Sequence, residues 1–238
     1  YTSGTALSTV GFGDIVASTD VLRLVSVIEA GAGLGVFTAA IAYVLSVYPL
    51  VTAIRANALR VADLSVTSPH GAVLVARSGG DELSQMAAEL IASHENLRRF
   101  PILYYFESGN EDESLATVLR AGAMMCIVLQ WGVRHDRLES AVVYGPAFER
   151  AMSRMFEDLE RDYVGGRRRR VAPRRPLSPD EATARYRVLQ NDVADAAPQL
   201  RRAGDTPPEP FAEFVARAEA LLDSYAREHG HGGEPLLR

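Results

Sequence analysis

The sequence predicts an all-α protein in two parts: an apolar N-terminal part with one membrane-crossing helix, and a charged, mostly helical body. The first observation is the uneven distribution of charge along a chain that is 47% hydrophobic and has a net charge of −5. Within residues 1–54 the charged side chains are Asp14, Asp20, Arg23 and Glu29. The second observation is a charge-free run over residues 30–54, and the third is a series of apolar residues at helical spacing in the body.

The charge-free run over residues 30–54 reads AGAGLGVFTAAIAYVLSVYPLVTAI. A helix needs about 20 apolar residues to cross the hydrocarbon core of a bilayer, so this run is long enough to span it. Its frequent glycines would weaken a helix in water, whereas in lipid small residues allow neighbouring helices to approach closely. The helix is predicted to begin near Asp20, because residues 18–20 offer N-cap side chains.

Basic residues predict the orientation of this helix. Arg55 and Arg60 follow its C-terminal end, and such residues are enriched in cytoplasmic loops. The body is therefore predicted to lie in the cytoplasm, and the segment before the helix towards the outside. Pro49 lies near the inner end, where it can kink or end the helix, or mark the membrane exit.

A short motif, Thr-Val-Gly-Phe-Gly-Asp, occupies residues 9–14, just before the apolar helix. Gly11 and Gly13 permit backbone angles that strain other residues, so consecutive carbonyl groups can point in directions that a regular strand or helix forbids. Followed by a short loop and a glycine-bearing apolar helix, the motif resembles the pore module of potassium channels, in the family of bacterial channels with two transmembrane helices. The resemblance covers residues 1–62.

The resemblance implies a selectivity filter, in which backbone carbonyl oxygens and the Thr9 hydroxyl replace the water shell of a potassium ion. One loop cannot surround an ion, so a homotetramer in the bilayer is implied, with permeant potassium and no cofactor. Asp14 would lie at the outer mouth and raise the local cation concentration. Phe12 stands where the family more often carries tyrosine, which removes a hydroxyl that helps to brace the filter in relatives. The filter residues are Thr9, Val10, Gly11, Phe12 and Gly13.

Residues 1–8 are predicted to be the end of the pore helix that precedes the filter. In relatives a carboxylate on this helix often braces the filter, and Thr5 stands at that position here. Glu29 offers a carboxylate from the inner helix, and an acid within a membrane is costly and usually has a role. We hypothesise that Glu29 supports the filter or the pore helix. The alternative is a hydrated side chain at the outer interface.

The inner helix carries a predicted hinge and a predicted pore lining. Gly33 stands where relatives have a glycine hinge. The apolar residues that follow it at three- and four-residue spacing share one face of the helix: Leu34, Phe37, Ile41 and Leu45. We predict that they line the inner cavity, where an apolar lining allows gating by dewetting. The alternative is that this face packs against neighbouring helices.

Residues 63–164 are predicted to form a helical cytoplasmic domain, because apolar residues recur there at helical spacing. Its helices are an amphipathic helix over residues 81–93, whose apolar face includes Ile91, a core helix over residues 115–133 and a second amphipathic helix over residues 150–163. The run over residues 115–133 is strongly apolar. Arg120 interrupts it, and the remaining charge-free part is too short to cross a bilayer.

The C-terminal part is predicted to contain an arginine-rich linker, residues 165–177, and a helical region, residues 178–238. The linker is interpreted as a solvated loop, with contact to anionic lipid headgroups as the alternative. Two Ser/Thr-Pro-x-Glu patterns combine an N-cap side chain with an early proline and a glutamate, as capping boxes do. The predicted helices cover residues 179–196, after an N-cap at Ser178, and 208–228, after an N-cap at Thr206.

The sequence predicts neither an enzyme nor a nucleic-acid-binding protein. It offers no grouping of nucleophile, base and acid that would identify a catalytic residue, and no metal site apart from permeant potassium. The arginine cluster lacks the interleaved aromatic residues of a nucleic-acid-binding surface. Residues 71–80 only imitate a strand and turn, so a dinucleotide-binding regulatory domain is not predicted. Cys126 lies in an apolar run and is predicted to be a buried, reduced thiol.

The leading hypothesis is the pore-forming subunit of a tetrameric, potassium-selective channel. The chain begins without the outer helix of the pore module, so we interpret it as a fragment of a multi-pass protein of the cell membrane. All its positive charges are arginines, which we interpret as the codon usage of a GC-rich bacterial genome. The alternative is a membrane-anchored helical scaffold or sensor, whose pore module does not conduct and whose function lies in the cytoplasmic tail.

Overall fold

The structure, a computed structural model, describes residues 1–106, 110–164, 176–204, 206–229 and 235–237. These residues contain no β-strand, which confirms the predicted all-α class. They form two compact units, residues 1–50 and 51–238. The α-helices are α1 (Thr2–Leu7), α2 (Asp20–Asp63), α3 (Pro69–Ser78), α4 (Gly80–Arg99), α5 (Leu115–Ile127), α6 (Glu139–Leu159), α7 (Pro179–Ala196) and α8 (Glu209–Glu228).

α2 is the long apolar helix predicted from the charge-free run. It begins at Asp20, as predicted, and its 44 residues extend to Asp63. At 1.5 Å per residue the helix is about 66 Å long. Its most apolar window has a mean hydropathy of 1.9, and only 6% of that window is buried. A helix that is apolar on all sides requires lipid or other helices around it.

Pro49 lies inside α2 and does not end it. A proline removes one backbone hydrogen bond from the helix interior. Beyond Pro49 the helix enters the second compact unit, where Ile54, Ala58 and Val61 are buried. Their packing stabilises the helical conformation past the lost hydrogen bond. The predicted domain division at residue 62 falls at the end of α2, whereas the compact units divide between Leu50 and Val51.

α5 forms the core of the second unit, the body. It packs against α3, α6 and α8, and its side chains from Ala123 to Ile127 are completely inaccessible to solvent. Together with the turn that follows it, α5 is apolar enough to count as a second membrane span. However, 72% of its apolar window is buried inside the body, as expected for the core helix that the sequence predicts.

Two amphipathic helices of the body differ from their predicted extents. α4 runs from Gly80 to Arg99 and buries most of its predicted apolar face, but Ile91 is half exposed. Ile91 lies about 100° around the helix from the buried Leu90, at the edge of the buried face. α6 begins at Glu139, well before residue 150, and continues through Gly145 and Pro146.

The other body helices test the remaining local predictions. α7 covers 179–196 as predicted, and Ser178 forms the complete capping box with Glu181. α8 begins at Glu209, but Thr206 does not cap it: Pro208 occupies the N-cap position, and proline has no side-chain acceptor. Residues 69–78 are α3, so the segment that only imitates a strand and turn in the sequence is helical. Residues 165–175 of the predicted linker lie outside the described residues.

A buried glutamine joins α7 to the end of the core helix. After α5 the chain forms a π-helical turn, Val128–Gly132, and such a turn leaves backbone carbonyls without their usual helical donors. Gln190 has no solvent-accessible surface. Its amide donates to the carbonyl oxygens of Trp131 at 3.3 Å and Gly132 at 3.1 Å, and its own oxygen accepts from the Arg202 amide at 3.0 Å. One side chain therefore satisfies three buried backbone groups.

We expect Gln190→Leu to lower the free energy of unfolding of the body by about 2 kcal/mol, because at similar side-chain volume it removes the bonds to the Gly132 carbonyl and the Arg202 amide, while the Trp131 carbonyl keeps the Tyr186 hydroxyl as a donor. The measurement is chemical denaturation in detergent, followed by circular dichroism. Gln199→Leu is the matched control, since Gln199 is exposed, and its effect should stay within about 0.5 kcal/mol. Equal denaturation midpoints for the two variants would contradict this role of Gln190.

Candidate functional site

The loop between α1 and α2 has an unusual backbone. Thr9, Gly11 and Gly13 have positive φ angles of 58°, 52° and 76°, whereas Val10 and Phe12 between them do not. For the β-branched Thr9 this is a strained conformation. Alternation between mirror-image backbone conformations turns successive peptide groups the same way, so their carbonyl oxygens can face one side. The positive φ angles at Gly11 and Gly13 are backbone angles of the kind that the sequence predicts for these two glycines.

The amide groups of this loop are held from behind by α1. Val10 and Gly11 both donate their backbone N–H to the carbonyl oxygen of Thr5, at 3.1 and 3.3 Å. Within the described part of the chain, no hydrogen bond ends on the carbonyl oxygens of residues 9–13. The first three N–H groups of the loop, those of Thr9, Val10 and Gly11, are therefore paired with α1, while its carbonyl oxygens accept no bond from the described residues. Thr5, predicted to stand where relatives carry a bracing carboxylate, engages the loop through its backbone.

Asp14, the predicted outer-mouth residue, is fixed by the first residue of the chain. The Tyr1 hydroxyl donates to Asp14 Oδ2 at 2.6 Å, which closes the loop between the start of α1 and the end of the motif. Sequence analysis did not identify Tyr1. A contact between residues 13 positions apart in an irregular loop follows no helical or strand period, so no pattern could have indicated it.

Glu29 accepts a hydrogen bond from the hydroxyl of Ser3 at 2.6 Å. Ser3 lies in α1 and Glu29 in α2, so this bond links the two helices of the N-terminal unit. It is the kind of contact that the hypothesis of a supporting Glu29 requires, although it reaches α1 rather than residues 9–13. Ser3 was not identified from the sequence, because a serine near a helix start is usually interpreted as a cap.

Gly33 is the point of closest approach between α1 and α2. A Cβ atom at Gly33 would lie 1.7 Å from the carbonyl oxygen of Leu7 and 2.7 Å from its carbonyl carbon. These are backbone atoms, which cannot rotate away as a side chain can. The absence of a side chain at Gly33 therefore lets the last turn of α1 pack directly on α2. A Cβ atom at Gly35, two residues further along α2, would have no such neighbour within 4 Å.

A cavity of about 620 Å³ in the N-terminal unit brings part of the predicted site together. It joins Thr9, at the start of the filter motif, to Leu34 and Phe37 of the predicted pore lining. Gly33 also borders it, as do Gly4, Leu7, Ser8, Val36 and Ala40. Ile41 and Leu45, the other two predicted lining residues, do not border this cavity and are exposed on α2.

The body contains a separate cavity of about 350 Å³ with a polar edge. Among its lining residues, His94 Nε2 donates to Asp158 Oδ2 at 2.8 Å, and Arg161 also donates to Asp158, at 2.6 Å. Burial acts to raise the pKa of the Asp158 carboxyl, but the hydrogen bond from His94 and the charge of Arg161 outweigh it and lower that pKa. Asp158 is thus an ionised acceptor already occupied by its neighbours.

Backbone oxygen atoms are the candidate cation ligands among the described residues. The described residues contain no group of three or more His, Cys, Asp or Glu side chains placed to hold a metal ion. The carbonyls of residues 9–13 are neutral, hard oxygen donors, which suit alkali and alkaline-earth cations.

Comparison with known proteins points to the same segment. The family model described as "Ion channel" matches residues 1–48, which include α1, the motif and most of the apolar part of α2. No curated protein and no solved structure matches the chain. The match supports an ion channel in a membrane and covers the part of the chain in which the free carbonyls lie.

We expect Gly33→Ala to destabilise the N-terminal unit by about 1–3 kcal/mol, because the new methyl group overlaps the Leu7 backbone and forces α1 away from α2. Thermal unfolding in detergent micelles, followed by circular dichroism, measures this effect. Gly35→Ala is the matched control, because it adds the same methyl group on the same helix in open space. If both variants unfold at the temperature of the parent protein, the close contact at Gly33 is not needed.

Proposed function

We propose that this protein is the pore-forming subunit of a homotetrameric, potassium-selective ion channel. The observation that carries the proposal is the loop over residues 9–13, which combines alternating φ signs with carbonyl oxygens that accept no hydrogen bond within the described residues. Ion passage through a membrane requires such oxygens to compensate for the lost water shell. One loop provides oxygens on one side only, so several copies must surround a common axis.

Potassium is the proposed permeant ion because of the ligand chemistry. Carbonyl oxygens are neutral, and stacked rings of them bind a monovalent ion weakly enough at several sites for it to leave again. The proposed ligands are the carbonyls of Thr9, Val10, Gly11 and Phe12 with the Thr9 hydroxyl, and Gly13 completes the loop. Asp14 supplies negative charge at the outer mouth.

Two hydrogen bonds between side chains would hold the filter in place. The Tyr1–Asp14 bond fixes the outer end of the loop, and the Ser3–Glu29 bond fixes α1 to the inner helix. Phe12 has no hydroxyl with which to brace the filter, so these two bonds provide support from other positions. In this proposal Glu29 supports the pore helix and thereby the filter.

The inner helix would form the cavity below the filter. The cavity shared by Thr9, Leu34 and Phe37 supports this assignment, and Ile41 and Leu45 would continue the lining towards the inner end. A pore with an apolar lining can close by dewetting, without side chains blocking it. Gly33 would serve as a hinge only if α1 could leave its contact there, since Leu7 packs on it in this conformation.

The proposed location is the cell membrane, with a multi-pass full-length protein and a cytoplasmic body. Arg55 and Arg60 after the apolar part of α2 support this orientation. The proposed partners are potassium ions, the bilayer and further copies of the chain. No enzymatic activity, cofactor or nucleic acid belongs to the proposal.

We expect the full-length protein in liposomes to take up radioactive rubidium, and excess external potassium, but not sodium, to suppress the uptake. Gly11→Asp should abolish uptake while tetramers still form, because it introduces a charged side chain among the carbonyl oxygens that are proposed to bind the ion. The experiment measures uptake against time in vesicles loaded with potassium. Tetramers of the parent protein that take up no rubidium under any condition would favour the alternative, a scaffold or sensor with a non-conducting pore module.

We expect Ser3 and Glu29 to be energetically coupled. Ser3→Ala and Glu29→Leu should each lower tetramer stability in detergent, and the double variant should cost little more than either, with a coupling energy of about 1–2 kcal/mol. Glu29→Gln should retain part of the stability, since its amide oxygen can still accept from Ser3. Strictly additive effects would mean that the bond does not support the pore, and that Glu29 is simply hydrated.

A further inference from the structure

The segment that directly follows α4, residues 101–106, presents large apolar side chains to solvent. Pro101–Tyr105 form a 3-10 helix, in which residues three apart lie on one face. Ile102 and Tyr105 share that face and are 41% and 63% exposed, and the following Phe106 is 49% exposed. Contiguous exposed apolar surface can mark an interaction site.

The exposure of these side chains is not the result of a loosely packed segment. Leu103 and Tyr104 of the same turn are almost fully buried. The Tyr104 hydroxyl donates to Glu228 at 2.8 Å, and its ring stacks on Tyr163 at 4.4 Å between ring centroids. Leu103 and Tyr104 therefore fasten the turn to the body. Their neighbours Ile102 and Tyr105 are held in place on its exposed face.

Two arginines precede this turn in the chain, at the end of α4. Arg98 has a side chain that is 57% exposed, and it pairs with Glu95 at 3.3 Å and with Asp158 at 3.5 Å. Arg99 is exposed and lies over the ring of Phe100 at 5.4 Å. Among the described residues no carboxylate pairs with Arg99. Its guanidinium is thus available for an anionic group, and phosphate is the anion that its planar donors suit best.

We propose that this surface, made up of Arg99, Ile102, Tyr105 and Phe106, docks on the interface of a phospholipid bilayer. Aromatic rings with a polar tip are enriched at the level of the headgroups, and arginine beside them can bind lipid phosphate. The bilayer is also the partner at hand, because the same chain carries the apolar helix α2. Tethering raises the effective concentration of the lipid surface and makes even a weak contact effective.

The test uses the full chain in lipid nanodiscs with an environment-sensitive fluorophore on one introduced cysteine. Cys126 is fully buried and can remain in place. The probe positions are Tyr105→Cys and, as a second site in case the first variant folds poorly, Phe106→Cys. Val142→Cys is the matched control, because Val142 is an apolar residue with a similar exposure of 55% on α6.

We expect nitroxide carried by the lipids to quench the label at position 105 or 106 strongly and the label at 142 weakly, with water-soluble nitroxide giving the reverse order. Arg99→Gln should reduce the docked population about fivefold, the worth of one basic side chain near a lipid surface. The proposal is overturned if soluble nitroxide quenches labels at 105, 106 and 142 alike, or if lipid nitroxide does not distinguish them. Quenching by neither reagent at 105 would indicate that a protein partner covers this surface instead.

Discussion

The two hydrogen bonds that Val10 and Gly11 donate to the Thr5 carbonyl determine what the N-terminal unit can do. These bonds hold the loop against α1, and the alternating φ signs at Thr9, Gly11 and Gly13 allow its unpaired carbonyl oxygens to face one way. Residues 9–13 are exposed, so in the proposed pore these oxygens would take water or an ion as their partner. Irregular backbone at membrane depth is tolerable only inside protein or along a water-filled path.

The rest of the N-terminal unit serves to position this loop. Because Gly33 lacks a side chain, α1 lies directly on α2, while Tyr1 and Ser3 fix its first turn to Asp14 and Glu29. The body has its own core around α5 and its own polar fastening at Gln190. Contacts among its own residues therefore stabilise the body.

Much of the fold was predictable from local patterns, because the signals were strong and short-ranged. The start of α2 at Asp20, the capping box at Ser178 and the burial of Cys126 all follow from neighbouring residues. Where tertiary packing decides, the sequence was a poorer guide: α2 continues through Pro49 because its later residues are buried in the body. The contacts of Tyr1, Ser3 and Leu7 with distant residues have no periodic signal, so only the folded chain reveals them.

The most direct measurement is the reversal potential of the full-length tetramer in a planar bilayer, with potassium on one side and sodium on the other. We predict a reversal potential close to the equilibrium potential of potassium, since the proposed rings of carbonyl oxygens replace the hydration shell of that ion. A current that reverses near zero, from a verified tetramer, would contradict the account. It would mean that the loop adopts its observed backbone without selecting among monovalent cations.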